Sequence, residues 1–102
     1  MDFSVTLRSV TDFSLDRRVR LSDDVVFREL EGEAVLLNLA SGMYFGLDAI
    51  GTRVWQLLAE HQTLQAVFDH MLQEFEVDDP TLRSDLVALV DRLMEHGLVQ
   101  AV

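Results

Sequence analysis

Residues 41–58, SGMYFGLDAIGTRVWQLL, contain the change from a short apolar strand to a helix that decides the fold. Ser41 and Gly42 form a turn pair, and glycine suits the positive φ that such turns often need. Alternation over the predicted strand 43–47 places Met43, Phe45 and Leu47 on one side and Tyr44 and Gly46 on the other. Asp48 is a good N-cap, and apolar residues at helical spacing predict a helix that ends near residue 61.

A β-hairpin is predicted immediately before this stretch. VVFREL at residues 25–30 and EAVLLNL at residues 33–39 are separated only by Glu31 and Gly32, which is typical of a two-residue hairpin turn. In the second strand Val35, Leu37 and Leu39 share one uniformly apolar face, which we expect to point at the core. With the strand 43–47, the hairpin predicts a small antiparallel sheet of three strands.

Two further helices and a short strand are predicted after residue 62. Thr63 can cap a helix that ends near residue 75, and Asp79 with Pro80 at the first helical position predicts a third helix. This third helix ends near residue 96, where Gly97 favours an αL stop, and residues 98–102 form a short final strand. The chain is therefore predicted as α+β and winged-helix-like, with a three-stranded antiparallel sheet followed by three helices.

The first twenty residues are predicted to be an N-terminal arm or extension, and residues 21–102 the folded domain. Phe3, Val5 and Leu7 alternate with polar residues, which is a weak strand signal. The arginines at positions 17, 18 and 20 could dock on the acidic body or contact a partner, and are interpreted as part of a solvated lead-in. An arm that exchanges between subunits is left open as an alternative.

Composition narrows the class of protein and of partner. The 102 residues include 18 acidic residues and 8 arginines, with no lysine and no cysteine, and the net charge is −10. Such a field repels nucleic-acid phosphates and anionic lipid. A chain without cysteine has no disulfide, and the simplest expected location is the cytoplasm. No apolar run approaches the ~18 residues of a membrane span, so we expect no membrane partner.

The sequence offers no constellation typical of catalysis, metal binding or cofactor binding. His61, His70 and His96 are not spaced as a helical metal pair, and nucleotide-binding glycine motifs are absent. We therefore expect a protein that is not an enzyme and has no cofactor and no metal. A winged-helix DNA-binding regulator and a module that dimerises through its edge strand remain alternatives.

The region from Arg20 to Leu98 resembles the PqqD family, the small peptide chaperones also called RiPP recognition elements. The resemblance rests on VLLNLASGMYFGLDAIGTRVWQLL, TLQAVFDHMLQEFEVD and LVALVDRLMEHGLV, taken in that order. It implies a protein that holds the leader segment of a ribosomally made precursor peptide. It also implies a partner enzyme that modifies the peptide, such as a radical SAM protein or a leader peptidase, with a homodimer left open.

In this family the leader adds as a strand to the third strand of the sheet and packs against the third helix. Carried onto this sequence, that arrangement implies a ladder along residues 42–46 and an opposite wall on the third helix, with Arg83 pairing with a leader carboxylate. The implied peptide-binding residues are Gly42, Met43, Tyr44, Phe45, Gly46, Arg83, Leu86, Val90 and Leu93.

Overall fold

The computed structural model describes residues 15–102 and confirms the predicted order of sheet and helices. A short strand precedes the sheet, and a second short strand follows the helices. The elements are β1 Val19–Leu21, β2 Val25–Leu30, β3 Glu33–Asn38, β4 Met43–Leu47, α1 Ala49–Glu60, α2 Leu64–Glu74, α3 Asp79–Glu95 and β5 Val99–Ala101.

Strands β2, β3 and β4 form one antiparallel sheet in that order. The β2–β3 connection is the predicted tight turn, because both Glu31 (φ 55°) and Gly32 (φ 84°) have the positive φ that a type I′ turn requires. Gly42 also has a positive φ, 76°, in the turn that leads into β4. Turn chemistry therefore fixes the register, with Leu36 opposite Phe27 on one side and opposite Phe45 on the other.

The prediction that Val35, Leu37 and Leu39 face the core is wrong. Val35 is 45% exposed and Leu39 is 60% exposed, whereas the alternate residues Ala34, Leu36 and Asn38 are buried. The polar residue on the buried face is Asn38, and its amide is satisfied there. Its Nδ2 donates to the His96 carbonyl at 2.8 Å and its Oδ1 accepts from the Ala40 N–H at 2.9 Å. A buried amide with both partners costs little, so it did not exclude this face from the core.

Side-chain caps start all three helices. Asp48 accepts from the Gly51 N–H and Thr63 accepts from the Ala66 N–H, so these two predicted caps are confirmed. The third helix starts one residue earlier than predicted, because Asp78 is its cap and Asp79 is its first residue. Asp78 accepts from both the backbone N–H and the hydroxyl of Thr81, and these hydrogen bonds lower the pKa of its carboxyl group.

The segment before β2 is packed on the body of the protein rather than solvated. Leu15 and Val19 are buried, and β1 pairs antiparallel with β5, with Val19 opposite Ala101. The Val19 N–H also donates to the Gln62 carbonyl at 2.9 Å, which joins the segment to the α1–α2 connection. The expected solvated lead-in is thus corrected for Leu15, Val19 and the partly buried Arg17, which pairs with Asp91, whereas Arg18 and Arg20 are exposed. The alternation at residues 3–7 lies outside the described residues.

Candidate functional site: the groove between β4 and α3

Strand β4 is an edge of the sheet, and no strand within residues 15–102 pairs with its outer side. An edge of this kind presents unpaired N–H and C=O groups that another chain can use. Met43 is 59% exposed and Tyr44 is 72% exposed, so the first half of the strand is open to solvent. Strand β2 is the opposite edge, but it contributes no residue to the groove described next.

A groove of about 500 Å³ lies beside β4 and separates it from α3. One wall is the second half of β4 with the start of α1, and the other wall is one side of α3. The lining combines apolar side chains with three charged ones, Asp48, Asp85 and Arg92. The lining residues are Phe45, Gly46, Leu47, Asp48, Ile50, Gly51, Asp85, Leu89 and Arg92.

Alternation splits the predicted ladder residues between the two faces of the sheet. Met43 and Phe45 point toward α3, because they share a face with the buried Leu36 and Asn38. Tyr44 lies on the outer face, opposite Leu37 in the register. Gly46 also faces outward, and a Cβ at this position would meet no atom within 4 Å. The strand therefore brings residues 42–46 together through their backbone, while their side chains serve different surfaces.

Three of the residues implied for the α3 wall lie in the core instead. Leu86 is 2% exposed, and Val90 and Leu93 have no exposed surface. Side chains at these positions pack inside the domain and leave no surface for a peptide. The wall is formed by the positions one residue earlier along the helix, Asp85, Leu89 and Arg92.

Arg83 also lies away from the groove. Its guanidinium group sits 5.0 Å from the centroid of the Phe68 ring on α2, and its Nε lies 3.5 Å from Oδ1 of Asp79. Both contacts direct the side chain toward the α2 side of the helix. The cation that reaches the groove is Arg92.

Phe45 is the aromatic centre of the groove. Its half-buried ring lies beneath the Arg92 guanidinium, 5.5 Å from the ring centroid, and beside the His96 ring at 5.2 Å. A cation over an aromatic face is attracted by the ring quadrupole, so Arg92 is held over the groove rather than free in solvent. The neighbouring acid Asp91 pairs with Arg17 at 3.0 Å instead.

An ion pair joins α1 to α2 outside the groove. Arg53 on α1 donates twice to Glu74 on α2, with both distances 2.7 Å, and this bond lowers the pKa of the Glu74 carboxyl group and raises that of Arg53. The pair links the two helices at the protein surface.

Within residues 15–102 no cluster of three or more histidines and acids is arranged to hold a metal ion. None of the described helices is both long and apolar enough to cross a membrane.

One protein family and two solved structures are similar to this chain. The family model "Coenzyme PQQ synthesis protein D (PqqD)" matches residues 33–99. The solved structure "TbiB1 in Complex with the TbiA(beta) Leader Peptide" is 40% identical with a TM-score of 0.76, and the match covers 79% of this chain and 94% of that chain. "Lasso peptide synthetase B1 complexed with the leader peptide" is 26% identical with a TM-score of 0.73, covering 81% and 98% of the two chains. No curated protein matched.

The matched region begins at the first residue of β3 and ends at the first residue of β5. It therefore contains the edge strand, all three helices and every residue that lines the groove. The agreement extends over more than half of the chain, and the two solved structures share the same fold over most of their length. The chain belongs to the PqqD family.

Proposed function

We propose that this protein binds the leader segment of a ribosomally made precursor peptide and presents it to a peptide-modifying enzyme. The observation that carries the proposal is the open edge of β4 beside a groove with apolar and charged lining, in a PqqD-family chain. Both similar solved structures are complexes with a leader peptide. The likeness to a lasso peptide synthetase B1 supports a lasso-peptide precursor as the source of the leader.

Strand addition is the binding mode that the groove supports. A leader in extended form would take the unpaired backbone groups of residues 42–46, and alternate side chains would enter the groove against Phe45 and Leu89. Backbone hydrogen bonds contribute about 0.5–1.5 kcal/mol each, while the apolar lining gives selectivity for the side chains that enter. A micromolar dissociation constant corresponds to about −8 kcal/mol, so the bonds and the buried side chains together must also offset the roughly 4–15 kcal/mol that association costs.

The protein acts in this proposal as a carrier without chemistry of its own. Three charged residues line the groove, Asp48, Asp85 and Arg92, and Asp48 is engaged as the cap of α1. The other side chains of the lining are apolar. The chemistry belongs to a partner enzyme, either a leader peptidase or a radical SAM protein, which meets the peptide while it is held. We place this step in the cytoplasm, where a ribosomally made precursor is first available.

Titration with a leader peptide tests the proposal. Isotope-labelled protein is titrated with the leader half of a precursor encoded beside its gene, and the other half of the same precursor serves as the control peptide. We expect amide shifts concentrated in residues 42–48 and 85–92, with saturation in the micromolar range. No saturation at ~100 μM, or equal shifts with the control peptide, would remove the proposal.

Backbone methylation of the leader separates strand addition from other ways of filling the groove. In an antiparallel pair only alternate residues exchange hydrogen bonds with a given neighbour. A scan in which each leader amide is N-methylated in turn is therefore expected to weaken binding at every second position. Loss without a period of two would show that the peptide binds in another conformation.

The same experiments address the two alternatives. If two copies of the protein paired through β4, the apparent mass of the free protein would increase with concentration. The leader would then compete with this dimerisation. Duplex DNA binding would strengthen steeply as salt is lowered. A net charge of −10 opposes DNA binding, and the strand edge that would dimerise is the one proposed to receive the leader.

A further inference from the structure

The groove has opposite charges at its two ends, and both belong to one stripe of α3. Asp85, Leu89 and Arg92 are spaced i, i+4 and i+7, which places them along one side of the helix, with about 10 Å between the first and last positions. Within residues 15–102 neither Asp85 nor Arg92 forms an ion pair. Both charges are therefore available to a bound chain.

The direction of β4 relates these charges to the sheet. Phe45 lies under Arg92, and its ring also contacts His96 near the end of α3. The His96 carbonyl is bonded to Asn38, which lies opposite Met43 in the register. The basic end of the groove thus lies at Phe45, on the side that points toward the start of β4. Asp48 follows the last residue of β4 and lines the groove together with Asp85, so the acidic end is near the end of the strand.

Antiparallel addition gives the bound peptide a direction. Both existing strand pairs of the sheet are antiparallel, and antiparallel pairs are slightly more stable per residue than parallel ones. A leader strand antiparallel to β4 has its earlier residues at the end of β4, beside Asp48 and Asp85. Its later residues then lie beside Phe45 and Arg92.

We propose that the groove selects the order of charges along the leader. Asp85 takes a basic side chain, with the carboxylate of Asp48 beside it although its Oδ1 also caps α1, and Arg92 takes an acidic side chain that lies two or four residues closer to the peptide's C-terminus. This inference rests on the proposed function, because it requires an added strand. The spacing is even because side chains on one face of a strand recur every second residue, at about 7 Å for two residues and 13 Å for four. These values bracket the 10 Å between the helix positions, and long side chains span the difference.

Charge-pair scanning of the leader tests the inference. The probe is the fluorescein-labelled leader of the precursor encoded beside the gene, with its charged residues in the bound strand replaced by glutamine. One arginine and one glutamate are then introduced at spacings of two, three and four residues, in both orders and at successive positions. In fluorescence anisotropy we expect the best arginine-first peptide to bind about tenfold tighter than its reversed partner, which corresponds to 1.4 kcal/mol. The spacing of three is expected to lose most of this gain.

Exchanging the charges of the protein should exchange the preference of the groove. The double variant D85R/R92E is expected to bind the glutamate-first peptide better than the arginine-first one. Arg20→Glu is the control, because Arg20 is exposed on β1 and does not line the groove. It is expected to leave the ratio between the two peptides unchanged. An amide spectrum of each variant verifies that the fold is retained.

The outcomes separate this inference from the function on which it rests. If the unmodified leader fails to bind, the proposed function and the inference fall together. If the unmodified leader binds but the two charge orders bind equally, or the reversed order binds better, leader binding stands and the inference is overturned. A preference for arginine first that D85R/R92E does not reverse would also overturn it, because the charges of α3 would then not be its source.

Discussion

Replacing Asn38 with alanine tests whether one buried amide holds the edge strand against the end of α3. Asn38 is 7% exposed at the end of β3. It donates to the His96 carbonyl at 2.8 Å and accepts from the Ala40 N–H at 2.9 Å. One side chain thus joins the β3–β4 turn to the helix that forms the other wall of the groove.

The expected cost follows from the two bonds. Alanine removes both and leaves one backbone carbonyl and one backbone N–H without their partner, and a buried group left in this state costs about 1–3 kcal/mol. Ala40 and His96 are themselves exposed residues, so water replaces part of each bond. We therefore expect the free energy of unfolding to fall by about 2 kcal/mol, a large part of the ~5–15 kcal/mol of a typical domain.

Urea unfolding followed by the fluorescence of Trp55 measures this loss. Ser41→Ala is the matched control, since its hydroxyl accepts a long bond of 3.3 Å from the Met43 N–H in the same turn and in an exposed position. The control is expected to lower stability by no more than about 0.5 kcal/mol. Asn38→Ala should in addition weaken leader binding, because the turn that sets β4 is released. If the two variants were equally stable, the amide would not hold the turn and the argument would fail.

Three further predictions concern other parts of the molecule. Arg92→Gln should weaken leader binding about fivefold, whereas Arg83→Gln should leave the dissociation constant within about twofold while lowering stability, as measured by anisotropy and urea unfolding. The pKa of Glu74 is lowered by Arg53, so their bond stabilises the fold above the ordinary carboxyl pKa near ~4.3 and is lost as the pH falls below it. Arg53→Gln should therefore reduce the loss of stability between pH 7 and pH 3.5 in urea unfolding; an unchanged loss would contradict this account. Val19→Ala should cost about 1–2 kcal/mol of unfolding free energy, because its side chain is 1% exposed, while a solvated lead-in would show no change.

Local chemistry made much of the fold predictable. The positive φ of Gly32 and Gly42 and the capping side chains of Asp48 and Thr63 act within a few residues of themselves, so the sequence carries them directly. The choice of the buried face of β3 is different. Two alternating faces were available, and the one that contains Asn38 can be buried because His96, far along the chain, accepts a hydrogen bond from its amide. No local pattern contains that information.

The pairing of β1 with β5 could not be predicted from the sequence for a related reason. Residues 19–21 are too short to show a period of two, and their partners lie at the other end of the described chain. Strand β5 was predicted from its position after Gly97, but its neighbour was not. A short strand gains most of its stability from tertiary contacts rather than from propensity, and here these are the burial of Val19 and the bond to Gln62.

The same limit explains why the sequence singled out Arg83 rather than Arg92, the arginine that lines the groove. The buried stripe of α3 includes Leu82, Leu86 and Leu93, and an arginine lies on each flank of it. At 100° per residue Arg83 falls on one flank and Arg92 on the other, and the helix alone does not say which flank faces β4. Packing decides, because α2 covers one flank through Phe68 and Phe45 meets the other. Both flanks carry an arginine, but only the flank of Arg92 lies beside the edge strand. Arg92 is therefore the arginine that a peptide added to that strand can reach.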